Sequence, residues 1–137
     1  MKVWILYDYD GRVDGIYTEA GKEKKDQQLY EEAVMCRDRF IDGYNKEISE
    51  LRELRQPYIA DAEALIDTER EAKEKLDTYT LKSTRKQRKI ALHQAEQLTW
   101  KIKGLKDKIL AMQRMTRAEI MNHYLSDYYW EDHYVME

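Results

Sequence analysis

Proline is almost missing from this chain of 137 residues, with Pro57 the sole example, and glycine occurs only five times. So few helix breakers exclude a loop-rich or low-complexity chain. Cys36 is the only cysteine, which rules out an intramolecular disulfide and a cysteine metal cluster and suits a reducing compartment. No apolar run approaches the roughly 18 residues of a membrane helix. The opening MKVWILYDYD lacks the basic region and small-residue cleavage site of a secretory signal. These absences predict a cytoplasmic protein with no membrane partner.

What is present is charge and tyrosine. Charged residues make up 37% of the chain and mean hydropathy is -0.88, values that would suit disorder. However, 11 Tyr, 3 Trp and 1 Phe supply the large side chains a disordered segment lacks. Length and composition predict one domain, residues 1–137, of α+β class and mostly α.

Residues 3–9, VWILYDY, and the stretch RVDGIYT are β-branched and aromatic, and Asp10-Gly11 lies between them. This pattern predicts a two-residue hairpin turn in which Tyr9 faces Arg12, Ile5 faces Ile16 and Trp4 faces Tyr17. Gly15, inside the second strand, marks a bulge or a close approach. Thr18 is the expected N-cap of a long helix. From Tyr30, alternate steps of four and three reach Tyr79 through fifteen positions, twelve of them apolar or aromatic. Such a heptad seam predicts a coiled-coil-like helix, kinked or restarted at Pro57.

DTYTLKS, residues 77–83, breaks the seam and is the expected turn of an antiparallel helical hairpin, with Ser83 or Thr84 capping the second helix. That helix, from about 84 to 125, repeats the spacing from Ala91 to Met112 and would span roughly 60 Å. Tyr128 to Met136 return to alternating aromatics and predict a third strand beside the N-terminal hairpin. The expected architecture is a three-stranded antiparallel β head from residues 1–30 and 124–137, carrying a helical hairpin arm over 30–123.

No catalytic set emerges. ILYDYDGRVDG resembles the first motif of haloacid-dehalogenase-like phosphatases, in which Asp8 and Asp10 would be nucleophile and acid/base. Arg12 stands where that family carries a small residue, and heptads beginning at residue 30 leave no room for its parallel sheet. Gly15-Ile16-Tyr17 matches half of the GIY-YIG nuclease signature, with no second half nearby. His123 and His133, near Asp127, Glu131 and Asp132, are better read as exposed histidines than as metal ligands. The expectation is a protein that is not an enzyme and holds no cofactor and no metal.

Charge is segregated. Residues 1–78 carry a net of -7, residues 82–117 a net of +9, and residues 118–137 a net of -5. The basic block offers Lys82, Arg85, Lys86, Arg88 and Lys89 as a phosphate-binding set for nucleic acid or a nucleotide signal. Its internal alternative is ion pairing with the acidic first helix. In the tail, Tyr128, Tyr129, Trp130 and Tyr134 interleave with Glu131 and Asp132, a composition suited to gripping a basic protein.

Short, acidic, Tyr-rich and hairpin-led, the chain resembles in type the small accessory proteins of phages and mobile elements. That resemblance implies an inhibitor of a host defence protein, such as a nucleic-acid-binding CRISPR effector, held by protein contact through the tail. Two alternatives come from the residues themselves. One is nucleic-acid binding by the basic helix, and the other is a structural coiled-coil protein that homodimerises through apolar surface left over between Tyr30 and Ile48.

Overall fold

The hairpin forms, but with a longer turn than the sequence spacing predicts. In the computed structural model, which describes residues 1–125 and 128–135, strand β1 (Lys2–Tyr7) pairs antiparallel with β2 (Val13–Tyr17) on one edge and with β3 (Tyr129–Tyr134) on the other, in the order β2-β1-β3. Gly11 N–H donates to the Asp8 carbonyl at 3.0 Å and Asp8 N–H donates to the Arg12 carbonyl at 2.9 Å. The connection is therefore the three residues Tyr9–Gly11, closed by Gly11 at φ 73°, a conformation that glycine adopts without steric cost.

Asp8 faces Arg12, and the expected Tyr9–Arg12 pair does not form. A one-residue slip would turn every later side chain to the wrong face. It is cancelled by a bulge: Leu6 pairs with Gly15 and Tyr7 with Val13, leaving Asp14 as the extra residue. Beyond it Ile5 faces Ile16 and Trp4 faces Tyr17, as the spacing predicts. Gly15 serves a second purpose, because a Cβ there would lie 2.7 Å from the Tyr17 ring. Its absence lets Tyr17 lie against the strand and meet Trp130 edge-on at 5.4 Å.

Helix α1 (Glu19–Glu74) starts at the expected cap, with Gly21 N–H donating to Thr18 Oγ1 at 3.2 Å. It runs through Pro57 as one assigned helix rather than restarting there. Proline removes one donor from the ladder, the partner of the Glu53 carbonyl, and both residues lie at the surface, where water can replace it.

The expected turn at 77–83 is shorter and earlier. Asp77 N–H donates to the Ala72 carbonyl and Leu76 N–H to the Lys73 carbonyl, with Leu76 at φ 58°. This paired arrangement closes α1 in a Schellman motif in which leucine occupies the place usually held by glycine. Leu76 and Tyr79, counted as seam positions, point into solvent.

Helix α2 (Thr78–Gln113) is capped by Asp77, not by Ser83 or Thr84; Thr84 is instead buried in the seam. Asp77 accepts from Thr80 N–H at 3.1 Å and from Thr80 Oγ1 at 2.6 Å. The side-chain bond from Thr80, then the backbone one, holds the Asp77 carboxyl below its ordinary value of 3.8. Because the folded value is the lower one, the cap contributes fully above the ordinary value and is lost as pH falls through the folded one. Asp77→Ala is expected to lower the urea midpoint of the full chain at neutral pH, and Asp77→Asn to lower it much less. Equal losses for both would show that the carboxylate is no cap.

The helix expected to reach residue 125 ends early as well. Helix α3 (Arg117–Leu125) is separate, begun by Thr116, whose Oγ1 accepts from Glu119 N–H at 3.3 Å and donates to Glu119 Oε1 at 3.0 Å. Thr116-x-x-Glu119 has the spacing of a capping box and falls where the apolar seam positions end, just past Met112.

The chain divides into two compact units, Met1–Ile41 with Ala111–Glu137 and Asp42–Leu110. In the first, Leu6 from the inner sheet face is buried with Leu29 and Ala33 of α1 and Ile120 of α3. Trp4 Nε1 donates to Glu19 Oε2 at 2.6 Å, and Lys22 lies 4.3 Å above the Trp4 ring. Arg117 ties α3 to α1, donating to Gln27 Oε1 at 2.8 Å while its guanidinium lies 4.5 Å from the Tyr30 ring.

In the second unit α1 and α2 run antiparallel. Buried Ile48, Ala62 and Ala72 belong to the same seam as Ala91, Ala95, Ile102, Leu105 and Ile109. The two polar seam positions of this unit, Arg55 and Glu69, behave as pairing devices rather than breaks. Arg55 donates to Thr99 Oγ1 at 3.1 Å. Glu69 receives Arg85 Nε at 3.0 Å and holds Arg88 Nη1 at 2.6 Å, the second contact being an ion pair without good hydrogen-bond direction.

With its side chain only 16% exposed, Glu69 shields two cations from which water is partly removed. Glu69→Ala is expected to lower stability by roughly 2 kcal/mol. Glu69→Leu with Arg88→Leu should recover most of that loss, and failure to do so would show that the polar trio contributes more than its hydrophobic replacement can.

Candidate functional site

Two surfaces carry the residues that the sequence singles out. The first is the outer face of the sheet. Side chains alternate along a strand, so Leu6 and Trp4 turn inward while Val3, Ile5 and Tyr7 turn outward, and their register partners follow: Val13 and Ile16 on β2, Tyr129, Glu131 and His133 on β3. No helix among the described residues covers this outer face. Ile16 is 65% exposed, Val13 55% and Tyr129 48%.

Tyr7 and Tyr129 stack with ring centroids 4.8 Å apart and planes at 11°. A hydrogen bond to Glu131, then partial burial and the negative charge of that carboxylate, raise the Tyr7 phenol above its ordinary value of 10.0. Tyr7 is therefore a neutral donor at any physiological pH, fixed beside a carboxylate.

The six tail residues expected to form one binding surface are divided by the pleat. Tyr129 and Glu131 lie on the outer face. Trp130 turns inward, where it meets Tyr17 and donates to Asp26 Oδ1 at 3.4 Å, so it supports the fold. Asp132 pairs with Lys2 at 3.3 Å, Tyr134 is exposed at the end of β3, and Tyr128 is half-buried just before it. Asp127, Met136 and Glu137, also counted with the tail, fall outside the described residues.

The outer-face aliphatics have a signal in the sequence. VWILYDY is apolar at successive positions rather than alternate ones, which in an antiparallel strand means that both faces seek cover.

The second surface is the solvent side of α2. Lys82, Lys86 and Lys89 stand one helical turn apart, exposed and without an ion pair among the described residues. Arg85 and Arg88, the rest of the expected phosphate-binding set, are both directed to Glu69. Further along, Trp100 is exposed with Lys103 at 5.1 Å from its ring.

Asp8, the supposed nucleophile, has a structural role: its Oδ1 accepts from the backbone N–H of Asp10 at 2.9 Å and of Arg12 at 3.0 Å, which organises the hairpin loop. His123 meets Tyr124 edge-on at 4.6 Å, and His133 lies 3.4 Å from Glu131. Among the described residues no three His, Cys, Asp or Glu side chains are grouped to hold a metal ion, and no helix is long and apolar enough to cross a membrane. Comparison of the chain with family models, curated proteins and solved structures gives no match.

Proposed function

We propose that this chain is a non-catalytic binding protein that grips another protein through the outer face of its sheet, as a phage or mobile-element inhibitor grips a host defence protein. The observation that carries the reading is the uncovered face itself, where Val13, Ile16 and the Tyr7–Tyr129 stack form one apolar and aromatic area beside Glu131. The Asp8–Arg12 loop stands at one end of that face, and residues 1–41 with 111–137 carry a net charge of -5. A net acidic unit with Glu131 beside its aromatic centre favours a basic partner, which is why the nucleic-acid-binding surface of an effector such as a CRISPR nuclease is the class we favour. The nucleic-acid alternative draws support only from Lys82, Lys86 and Lys89, since the two arginines beside them are engaged within the fold.

The test is capture from a nuclease-treated bacterial lysate with three forms of the full chain: wild type, Ile16→Ser with Tyr129→Ala, and Lys82→Glu with Lys86→Glu and Lys89→Glu. All altered side chains are exposed, so circular dichroism should show each variant folded. The wild type and the lysine variant should retain the same nucleic-acid-binding protein, and the sheet variant should lose it at least tenfold. Retention by the sheet variant, or capture of nucleic acid alone, would overturn the reading.

A further inference from the structure

The paired helices of Asp42–Leu110 bury one seam and leave a second apolar strip open. Beside the seam lie two adjoining concavities of about 430 and 460 Å³ that share Tyr58 and Gln94. Their walls are Leu54, Pro57, Tyr58 and Leu65 from α1 and Ile90 and Leu98 from α2. Leu54 is 60% exposed and Ile90 55%, although both sit where a two-helix coiled coil would carry polar residues. A groove between two helices, apolar over several turns, is the surface onto which further helices pack in a bundle.

The flanks of this groove differ in charge. The α1 wall carries Glu53 and Asp61, and the α2 wall carries Lys101. Among the described residues none of these carboxylates makes an ion pair, and neither does Lys101. The antiparallel alignment fixed by Arg55 with Thr99 and by Glu69 with Arg85 sets Glu53 level with Lys101 across the groove.

A surface with one acidic and one basic flank at matching levels is complementary to itself under one particular two-fold rotation, about an axis parallel to the helices. That rotation places α1 of one copy against α2 of the other, acid on base, at unchanged level. The other face-to-face two-fold, about an axis across the helices, would set α1 on α1 and acid on acid.

We infer that the groove is a homodimer interface in which two copies of this chain form an antiparallel four-helix bundle, with Glu53 of each copy beside Lys101 of the other. Gly104, whose missing Cβ faces open space, lets a neighbouring helix approach along the α2 flank. The inference is independent of the sheet-face reading, because the two surfaces share no residue.

Sedimentation equilibrium of the full chain over about 1–200 µM tests it. The wild type should approach twice the 16.6 kDa chain mass. Leu54→Arg with Ile90→Arg, both at exposed positions, should leave a folded monomer. Glu53→Lys alone and Lys101→Glu alone should each weaken self-association at least tenfold, since each homodimer then opposes like charges twice. An equimolar mixture of the two single variants should restore dimers to within about threefold of the wild type, because in the mixed dimer both pairs are again opposite in sign. Pairing within one chain cannot produce that rescue. A chain that stays monomeric at the highest concentration, a groove variant that still dimerises, or single variants no weaker than the wild type would each overturn the inference.

Discussion

Replacing Ile102 by Asp should melt the paired helices of the second unit. Ile102 is 3% exposed and lies in the α2 seam, midway between Leu98 and Leu105. An ionised carboxyl at such a position loses its hydration without gaining a partner, and the isoleucine's own burial is lost as well. The combined cost is several kcal/mol, against a total stability of roughly 5–15 kcal/mol for a small domain. At about 4–8 °C per kcal/mol, a loss of ~4 kcal/mol lowers the melting temperature by more than ~15 °C.

The deficit should also depend on pH in a definite direction. Burial raises the pKa of the introduced carboxyl above its unfolded value, so the penalty is small in acid and grows as pH rises through the unfolded value. Thermal circular dichroism at two pH values tests both points, with Lys103→Asp, on the exposed side of the same turn, as control. Similar melting for the two variants would mean that the buried face of α2 has been placed wrongly.

The second large effect belongs to the sheet. Leu6 is 0% exposed, central on β1, with Gly15 as its partner on β2 and Trp130 on β3. Leu6→Ala should cost about 3 kcal/mol, the removed methyls plus the cavity they leave, whereas Leu6→Met should cost less than ~1.5 kcal/mol because it keeps the volume. Urea unfolding read by tryptophan fluorescence suits the test, since Trp4 and Trp130 border the same inner face. The slope of stability against urea should stay unchanged. Equal costs for the two substitutions would indicate a loosely packed site.

The heptad seam was the most legible feature of the chain. Every position counted from Tyr30 to Ala72 except Tyr58 is at least half-buried, as are all seven from Ala91 to Met112. The pattern holds because burial of one stripe per helix is the main source of helix stability, so it is written in residue spacing that no single turn can erase. At the helix ends local hydrogen bonding prevails over spacing. Leu76 and Tyr79 fit the count but fall at the turn, since the Schellman bonds at Ala72 and Lys73 and the Asp77 cap end one helix and begin the next. Thr116 likewise begins α3 just past Met112, where the apolar seam positions run out.

The hairpin gives a second case. Its interior register was read from an Asp10-Gly11 turn that does not exist in that form, and it holds because the longer loop and the Asp14 bulge shift the pairing by one residue in opposite senses. Sequence periodicity reports which face of a strand is apolar, and that face is kept by whatever combination of loop and bulge achieves it.

The class of fold, the seam of each long helix, the Thr18 cap and the three antiparallel strands are written in the order of residues. Each of these follows from the chemistry of residues close together along the chain. Three features emerge only on folding: Trp130 faces inward while Tyr129 faces outward, Arg85 and Arg88 turn to Glu69, and Leu54, Tyr58 and Ile90 flank one open groove. These facts depend on which distant side chains come within a few ångströms of one another, and that is fixed by packing and register across the whole chain rather than by local spacing.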